Sequence, residues 1–201
     1  INDCEPKDFV KNNLPNDSAI LDAYDGMGFS KTQINNIAII NKNFSKKEVV
    51  RTSKWFNFKY GKAIWRTFAL MPWNKFTGIY DFHLANSFLK STFEEVWQKE
   101  FEALDRASAN KFRNLEQDVS QYLFRFWQIA SGSFNPIAKQ KLGDYCPIGL
   151  WDLNKIIKIF INSKKPIIVL NDHDPVDLDK TITELKKIFE SKFPEKSSFE
   201  L

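Results

Sequence analysis

The chain is poor in the side chains most often used as nucleophiles and soft-metal ligands: it has two cysteines and two histidines in 201 residues. Cys4 and Cys146 lie far apart and form no Cys-x-x-Cys pair, which argues against a disulfide framework and a thiolate zinc site and fits a reducing, cytoplasmic compartment. No apolar run approaches the roughly 20 residues that cross a bilayer, the longest being short stretches such as residues 37–40 and 167–170, so no transmembrane segment is expected. No period repeats, and no low-complexity tract occurs. The 29 basic and 25 acidic residues are mostly interleaved, so no basic arm points to a nucleic acid. Phosphate-binding Gly-x-x-x-x-Gly-Lys loops, Gly-x-Gly-x-x-Gly turns, Gly-x-Ser-x-Gly elbows and His-Glu-x-x-His helices are all missing, and the common nucleotide-hydrolase, dinucleotide, serine-hydrolase and zincin readings go with them. The chain starts at Ile1 rather than Met, which suggests a fragment or a processed form.

What the chain does have is apolar and aromatic mass. At 43% apolar, with 19 Phe and 6 Trp, it suits one compact domain with a bulky core. Asp17-Ser18 before residues 19–24 reads as the cap of a short helix, and residues 33–41 are helix or strand by pattern alone. Ser45 and Glu48 form a capping box for a helix over about 46–52. Residues 54–61 interleave aromatics with lysines. Such a stretch can grip a nucleic acid, a membrane surface or a sugar, or it can dock on the core with its lysines snorkelling to water. Alternation predicts a strand over 76–84, with Ile79, Asp81 and His83 on one face. Helices are expected at about 87–107, with Asn86 as cap, and at 116–131, ending at Gly132. In the second of these, Gln117, Gln121, Arg125 and Gln128 form a polar stripe that reads as a solvated face. A turn-rich connection through Gly143, Pro147 and Gly149 leads to a helix near 153–161, a strand at 167–170 and a last helix at 178–192. This order implies a helix-rich α/β architecture with a small sheet.

Both histidines stand where a predicted strand turns polar, the place where α/β proteins commonly put their sites. A neutral imidazole at His83 can take a proton from a hydroxyl, with Asp81 to orient it. After the second strand come Asn171, Asp172, His173, Asp174, Asp177 and Asp179, a stretch rich in oxygen donors suited to a hard cation such as Mg²⁺ or Ca²⁺. The spacing fails the EF-hand template, and Asp177 and Asp179 are better read as the start of the last helix. Asn171 and Asp172, at the strand end itself, are the stronger candidates.

Three ordered blocks narrow the reading. His83-Leu84-Ala85-Asn86-Ser87-Phe88-Leu89-Lys90 is followed by Lys111-Phe112-Arg113, leading into Asp118-Val119-Ser120-Gln121-Tyr122-Leu123-Phe124-Arg125. Leu170-Asn171-Asp172 then precedes Phe193-Pro194-Glu195-Lys196-Ser197-Ser198-Phe199-Glu200. Together they resemble the third and fourth conserved regions of the Stealth proteins, bacterial capsular polysaccharide phosphotransferases related to the animal GlcNAc-1-phosphotransferase. The resemblance makes residues 76–201 the third and fourth regions and residues 1–75 a helical segment following the mostly absent second one, the two forming one compact unit. It implies the C-terminal part of a nucleotide-sugar transferase domain. The implied reaction moves a hexose 1-phosphate from a UDP-sugar to a sugar hydroxyl of an oligosaccharide acceptor, at or near the inner face of the membrane. By resemblance His83 acts at the hydroxyl or the transferred phosphate, and Arg113 binds phosphate oxygens. Asn171 and Asp172 lie at the active site, with Asp172 at a divalent cation, while Asp81 and Asp118 support His83 and Arg113 from behind. Where many relatives carry Pro two residues after the histidine, this chain has Ala85. Because the first conserved region and most of the second are absent, a non-catalytic carbohydrate- or polyanion-binding domain is the alternative expectation.

Overall fold

A computed structural model describes residues 14–26, 30–173, 175, 177–195 and 198. The chain forms a helix-rich α/β fold with two small open parallel sheets, divided between two compact units. The first unit holds the chain up to Asp81 and from Asn86 to Lys139; the second holds residues 82–85 and everything from Gln140 on.

In the first unit, β1 (Asn16–Asp17) pairs in parallel with β2 (Asn135–Pro136). Around this pair stand α1 (Ser30–Asn43), α2 (Lys46–Val49), a 3-10 turn (Phe58–Ala63), α3 (Ile64–Leu70), α4 (Lys90–Lys99), α5 (Phe101–Ala109) and α6 (Tyr122–Ala130). Helix α6 is central, every residue from Leu123 to Ala130 being buried. Gln33, Asn36, Ile37 and Ile40 turn one stripe of α1 inward at helical spacing. The Phe93 ring stacks on Phe124 at 3.8 Å, and Phe44 meets Trp127 edge-on at 4.9 Å. Such aromatic pairs contribute on the order of 0.5–1.5 kcal/mol beyond the area they bury.

Several local expectations fail in this unit for one reason, that a distant partner outweighs a local preference. Asp17 caps no helix: it lies in β1, and its carboxylate takes Arg125 Nε at 2.9 Å and an Arg125 terminal nitrogen at 2.8 Å. Residues 18–21 run buried and extended, Leu21 bridging to Ile79. That bridge is all that forms of the strand expected over 76–84. The polar stripe is solvated only in part: Gln117 and Gln121, ahead of α6, are exposed, but its continuation on α6 is not. Arg125 and Gln128 are wholly enclosed, and Gln128 accepts from Leu89 N at 2.9 Å while donating to Ser87 O at 3.2 Å. The helix expected over 87–107 breaks at Glu100 into α4 and α5. Asn86, read as its cap, instead accepts from the Lys139 ammonium, and Leu89 occupies the cap position. Ser45 stands at the cap of α2 without a side-chain bond, and α2 runs for one turn.

Lys139 is as buried as Arg125 and shares its acceptor, lying 3.5 Å from Asp17. Burial pushes its ammonium down to about 8, the Arg125 charge adding to the effect against the pull of Asp17 and Asp81. The folded value lies below the ordinary one, so below about pH 8 the fold carries a charged buried lysine at a cost. As pH rises from about 8 towards 10, the folded protein sheds this proton before the unfolded chain does, and stability rises. Thermal unfolding between pH 7 and 10 is therefore expected to shift upward in the native protein relative to Lys139→Met. Parallel curves for the two would sink this assignment.

In the second unit, β3 (Gly143–Ile148) and β4 (Ile167–Asp172) pair in parallel from Gly143 opposite Ile167 to Ile148 opposite Asp172. Helices α7 (Leu153–Asn162) and α8 (Leu178–Lys192) complete it. Asp152 caps α7 by accepting from Lys155 N at 3.1 Å, and Asp177 caps α8 by accepting from Lys180 N at 2.9 Å, as the sequence predicts for Asp177. Strand β3 occupies what reads as a turn-rich connection; a two-stranded sheet has only edges, and Pro147 is tolerated there. Cys146, Ile148 and Ile156 form the unit's core, with Ile168, Leu170 and Leu185 packed against them. Cys146 is a free, buried thiol, while Cys4 lies outside the described residues.

Candidate active site

Parallel pairing sets both strands of the second unit running the same way, so their C-terminal ends open at one edge of the sheet. Alternation along β4 sends Ile168, Leu170 and Asp172 to one face and Val169 and Asn171 to the other, with His173 continuing that second row. Ile168 and Leu170 pack on the core, so Asn171 and His173 face away from it. Tyr145 lies opposite Val169 and therefore shares their face.

The side chains on this face meet. Asn171 Nδ2 donates to Tyr145 Oη at 3.0 Å and stands 2.8 Å from His173 Nε2; Tyr145 Oη is 3.1 Å from the same Nε2. With the Asn171 amide turned towards it, Nε2 accepts in the tautomer that carries its proton on Nδ1. The fourth member comes from the segment 82–85: the His83 ring stacks on Tyr145, centroids 4.8 Å apart and planes 27° from parallel. His83 holds φ +52, the one positive value among the described non-glycine residues. A non-glycine residue in that region costs on the order of 1 kcal/mol or more, and such strain gathers at functional sites. Imidazole, phenol, amide and imidazole thus stand together on an exposed strand end.

Two glycines make the arrangement possible. A Cβ on Gly143 would stand 2.9 Å from the Ile167 carbonyl of β4 and 2.7 Å from the end of the Leu84 side chain, so glycine fits closest between β4 and the His83 segment. Gly149 adopts φ +92, and a Cβ there would meet His173 O at 2.4 Å. The His173 backbone is fixed in turn by donating from its N to Ile148 O at 2.8 Å.

Of the residues singled out by sequence, His83 and Asn171 are brought together through Tyr145. His173, left open, joins them; Asp174 lies outside the described residues. Asp172 is exposed at the end of β4, on the opposite face of the pleat. Arg113 and Asp118 belong to the first unit, where both border a cavity of about 500 Å³ with Trp97, Ser120 and Gln121. Both Asp118 oxygens hold the loop that carries Arg113, one accepting from Asn110 Nδ2 at 2.5 Å and the other from Asn114 N at 2.7 Å. One of these bonds is to the Asn110 side chain and the other to the Asn114 backbone, and the helix expected from about residue 116 starts only at Tyr122. Asp81 is also in the first unit, and its charge acts on Arg125, Lys139 and Tyr24. Tyr145 was missed: it sits in a stretch punctuated by Gly143 and Pro147, and only the register with β4 reveals its neighbours.

A divalent cation finds no ready cage. Among the described residues no group of three or more His, Cys, Asp or Glu side chains is placed to hold one. Asp172 offers a single exposed carboxylate, too little to hold a divalent cation alone.

Comparison with known proteins gives no matching family model and no matching solved structure. Sequence relatives are clear. The chain is 40% identical over 206 residues to a capsular polysaccharide phosphotransferase WcwK of Streptococcus pneumoniae, covering 100% of this chain and 61% of that protein. It is 35% identical over 201 residues to the exopolysaccharide phosphotransferase cps2G of Lactiplantibacillus plantarum, covering 97% and 58%. It is 32% identical over 206 residues to the receptor polysaccharide phosphotransferase WefC of Streptococcus oralis, covering 98% and 60%. The chain thus spans about three fifths of the length of these relatives. Over nearly all of its own length it is homologous to the capsular and exopolysaccharide phosphotransferases of the Stealth family.

Proposed function

We propose that the chain carries the acceptor-activating part of a sugar-phosphate transferase acting in polysaccharide synthesis. The reaction is transfer of a hexose 1-phosphate, such as GlcNAc-1-phosphate, from a UDP-sugar to a sugar hydroxyl. The observation that supports this reading best is the joining of His83 and Asn171 around Tyr145 at the ends of two parallel strands. The relatives named above, all phosphotransferases of polysaccharides, support it independently.

In this reading the acceptor oxygen attacks the β-phosphorus of the UDP-sugar. The bond from that phosphorus to the bridging oxygen breaks, UMP leaves, and His83 takes the hydroxyl proton. Stacking on Tyr145 fixes the ring so that little freedom is lost when the hydroxyl arrives. Asn171 and the Tyr145 hydroxyl are donors that can turn towards developing oxygen charge. Asp172, at the end of β4, is the residue that would help hold Mg²⁺, which would supply charge neutralisation for the leaving group.

The nucleotide product tests the proposal. With a donor labelled at the β-phosphorus, the label is expected in the acceptor product as a phosphodiester, with UMP released. Release of UDP and an unlabelled glycoside would make the protein a glycosyltransferase and end this reading. Saturable oligosaccharide binding with no turnover would make it a binding domain instead.

A further inference from the structure

The chain's positive charge is concentrated in one place. Residues 46–75 contain eight lysines and arginines and a single acid, Glu48, whereas the whole chain is only +4, so everything outside that segment is net negative. Among the described residues only Arg66 of the eight has a carboxylate partner, Asp22. Lys46 and Lys54 donate to backbone carbonyls, and Lys47, Arg51, Lys59 and Lys62 are exposed.

The same segment buries Trp55 and Tyr60 but exposes other aromatics. Phe58 is 96% exposed, Trp65 67%, Trp73 55% and Phe68 48%. Ile64, Trp65, Phe68 and Met71 follow one another at helical spacing along and just past α3. Phe56, Phe58, Trp65 and Phe68 border an open groove of about 750 Å³ with Lys62 at its edge. Phe68 touches both Phe56 and Trp65, with ring centroids 5.0 and 5.4 Å away. This is an assembled apolar surface, larger in kind than scattered exposed residues.

We propose that this face docks the protein on an anionic lipid bilayer, with Phe58, Trp65 and Phe68 entering the headgroup boundary and Lys62, at the groove's edge, with Lys59, next to Phe58 in the chain, meeting lipid phosphates. Charge decides between a membrane and a protein partner. Protein interfaces deplete lysine around their aromatic anchors, whereas faces that lie on membranes combine Trp and Phe with Lys and Arg. Acidic lipids supply the counter-charge that the segment lacks within its own fold. No helix among the described residues is long and apolar enough to cross a membrane, so contact through this segment would be peripheral. The inference does not depend on the proposed chemistry and stands or falls separately.

Flotation of the purified protein with vesicles tests it. Vesicles with about one third phosphatidylglycerol are expected to bind at least tenfold more tightly than pure phosphatidylcholine, and raising the salt should weaken binding. Phe58→Ser should reduce binding about tenfold or more while leaving thermal stability near native, because the ring makes almost no contact within the fold. Lys62→Gln should weaken it about fivefold. Equal binding to neutral and acidic vesicles, binding untouched by Phe58→Ser, or no binding to any vesicle would overturn the proposal.

Discussion

Asp17→Ala is expected to destabilise the protein by about 3–5 kcal/mol, a large share of the stability of any domain. The cost does not come from losing two hydrogen bonds. Asp17 is the acceptor common to Arg125, which holds it by two nitrogens at 2.9 and 2.8 Å, and to Lys139 at 3.5 Å. All three are buried, with Asp17 2% and both cations 1% exposed. Removing the carboxylate leaves two cations facing each other without water, the circumstance in which breaking a buried pair costs most. Arg125→Met should cost less. Asp17 then keeps Lys139 and also the Ser18 N–H at 2.7 Å.

Acid gives an independent reading of the same network. Burial by itself would raise the Asp17 carboxyl, but the Arg125 charge and hydrogen bonds, with help from Lys139, bring it below the usual range. A depressed folded value gives stability that is complete above the unfolded value near 4 and is lost as pH falls through the folded one. Native protein should therefore lose stability more steeply than Asp17→Asn below about pH 4. Urea unfolding of Asp17→Ala with a loss under 1 kcal/mol would show that water reaches the network.

This network also marks where sequence reading ended. Arg125 and Gln128 share a helical stripe, which is legible from spacing, but spacing says nothing about what lies opposite. The partner of Arg125 is 108 positions away in a segment whose Asp-Ser pair imitates a helix cap. The C-terminal unit was easier because its signals are local. Asp177 caps α8 through the amide three residues on, the apolar run at 167–170 became β4, and amphipathic spacing gave α7. Strand β3 was hidden by Gly143 and Pro147, and its parallel pairing is long-range by nature. The motif blocks found His83 and Asn171, but period-two alternation was the signal left unused. It sets Asn171 beside His173 and sends Asp172 to the other face.

His83→Ala is expected to lower turnover about 10²- to 10⁴-fold, the usual worth of a positioned general base. Three further variants distinguish a base from a structural ring. His83→Gln keeps a polar side chain but cannot accept a proton and return it, so it should match His83→Ala in kcat. Tyr145→Phe keeps the stacked ring and removes the hydroxyl held by Asn171 and His173. Its loss should be milder, about tenfold. His83→Gly is the sharpest case. The backbone there holds φ +52, which glycine adopts freely, so the variant loses the imidazole while relieving on the order of 1 kcal/mol of strain. An inactive His83→Gly protein as stable as the native one would mean that the strained backbone is retained for chemistry. If His83→Gly instead kept native turnover, the proton would have to leave by another route and the role given to His83 would be wrong.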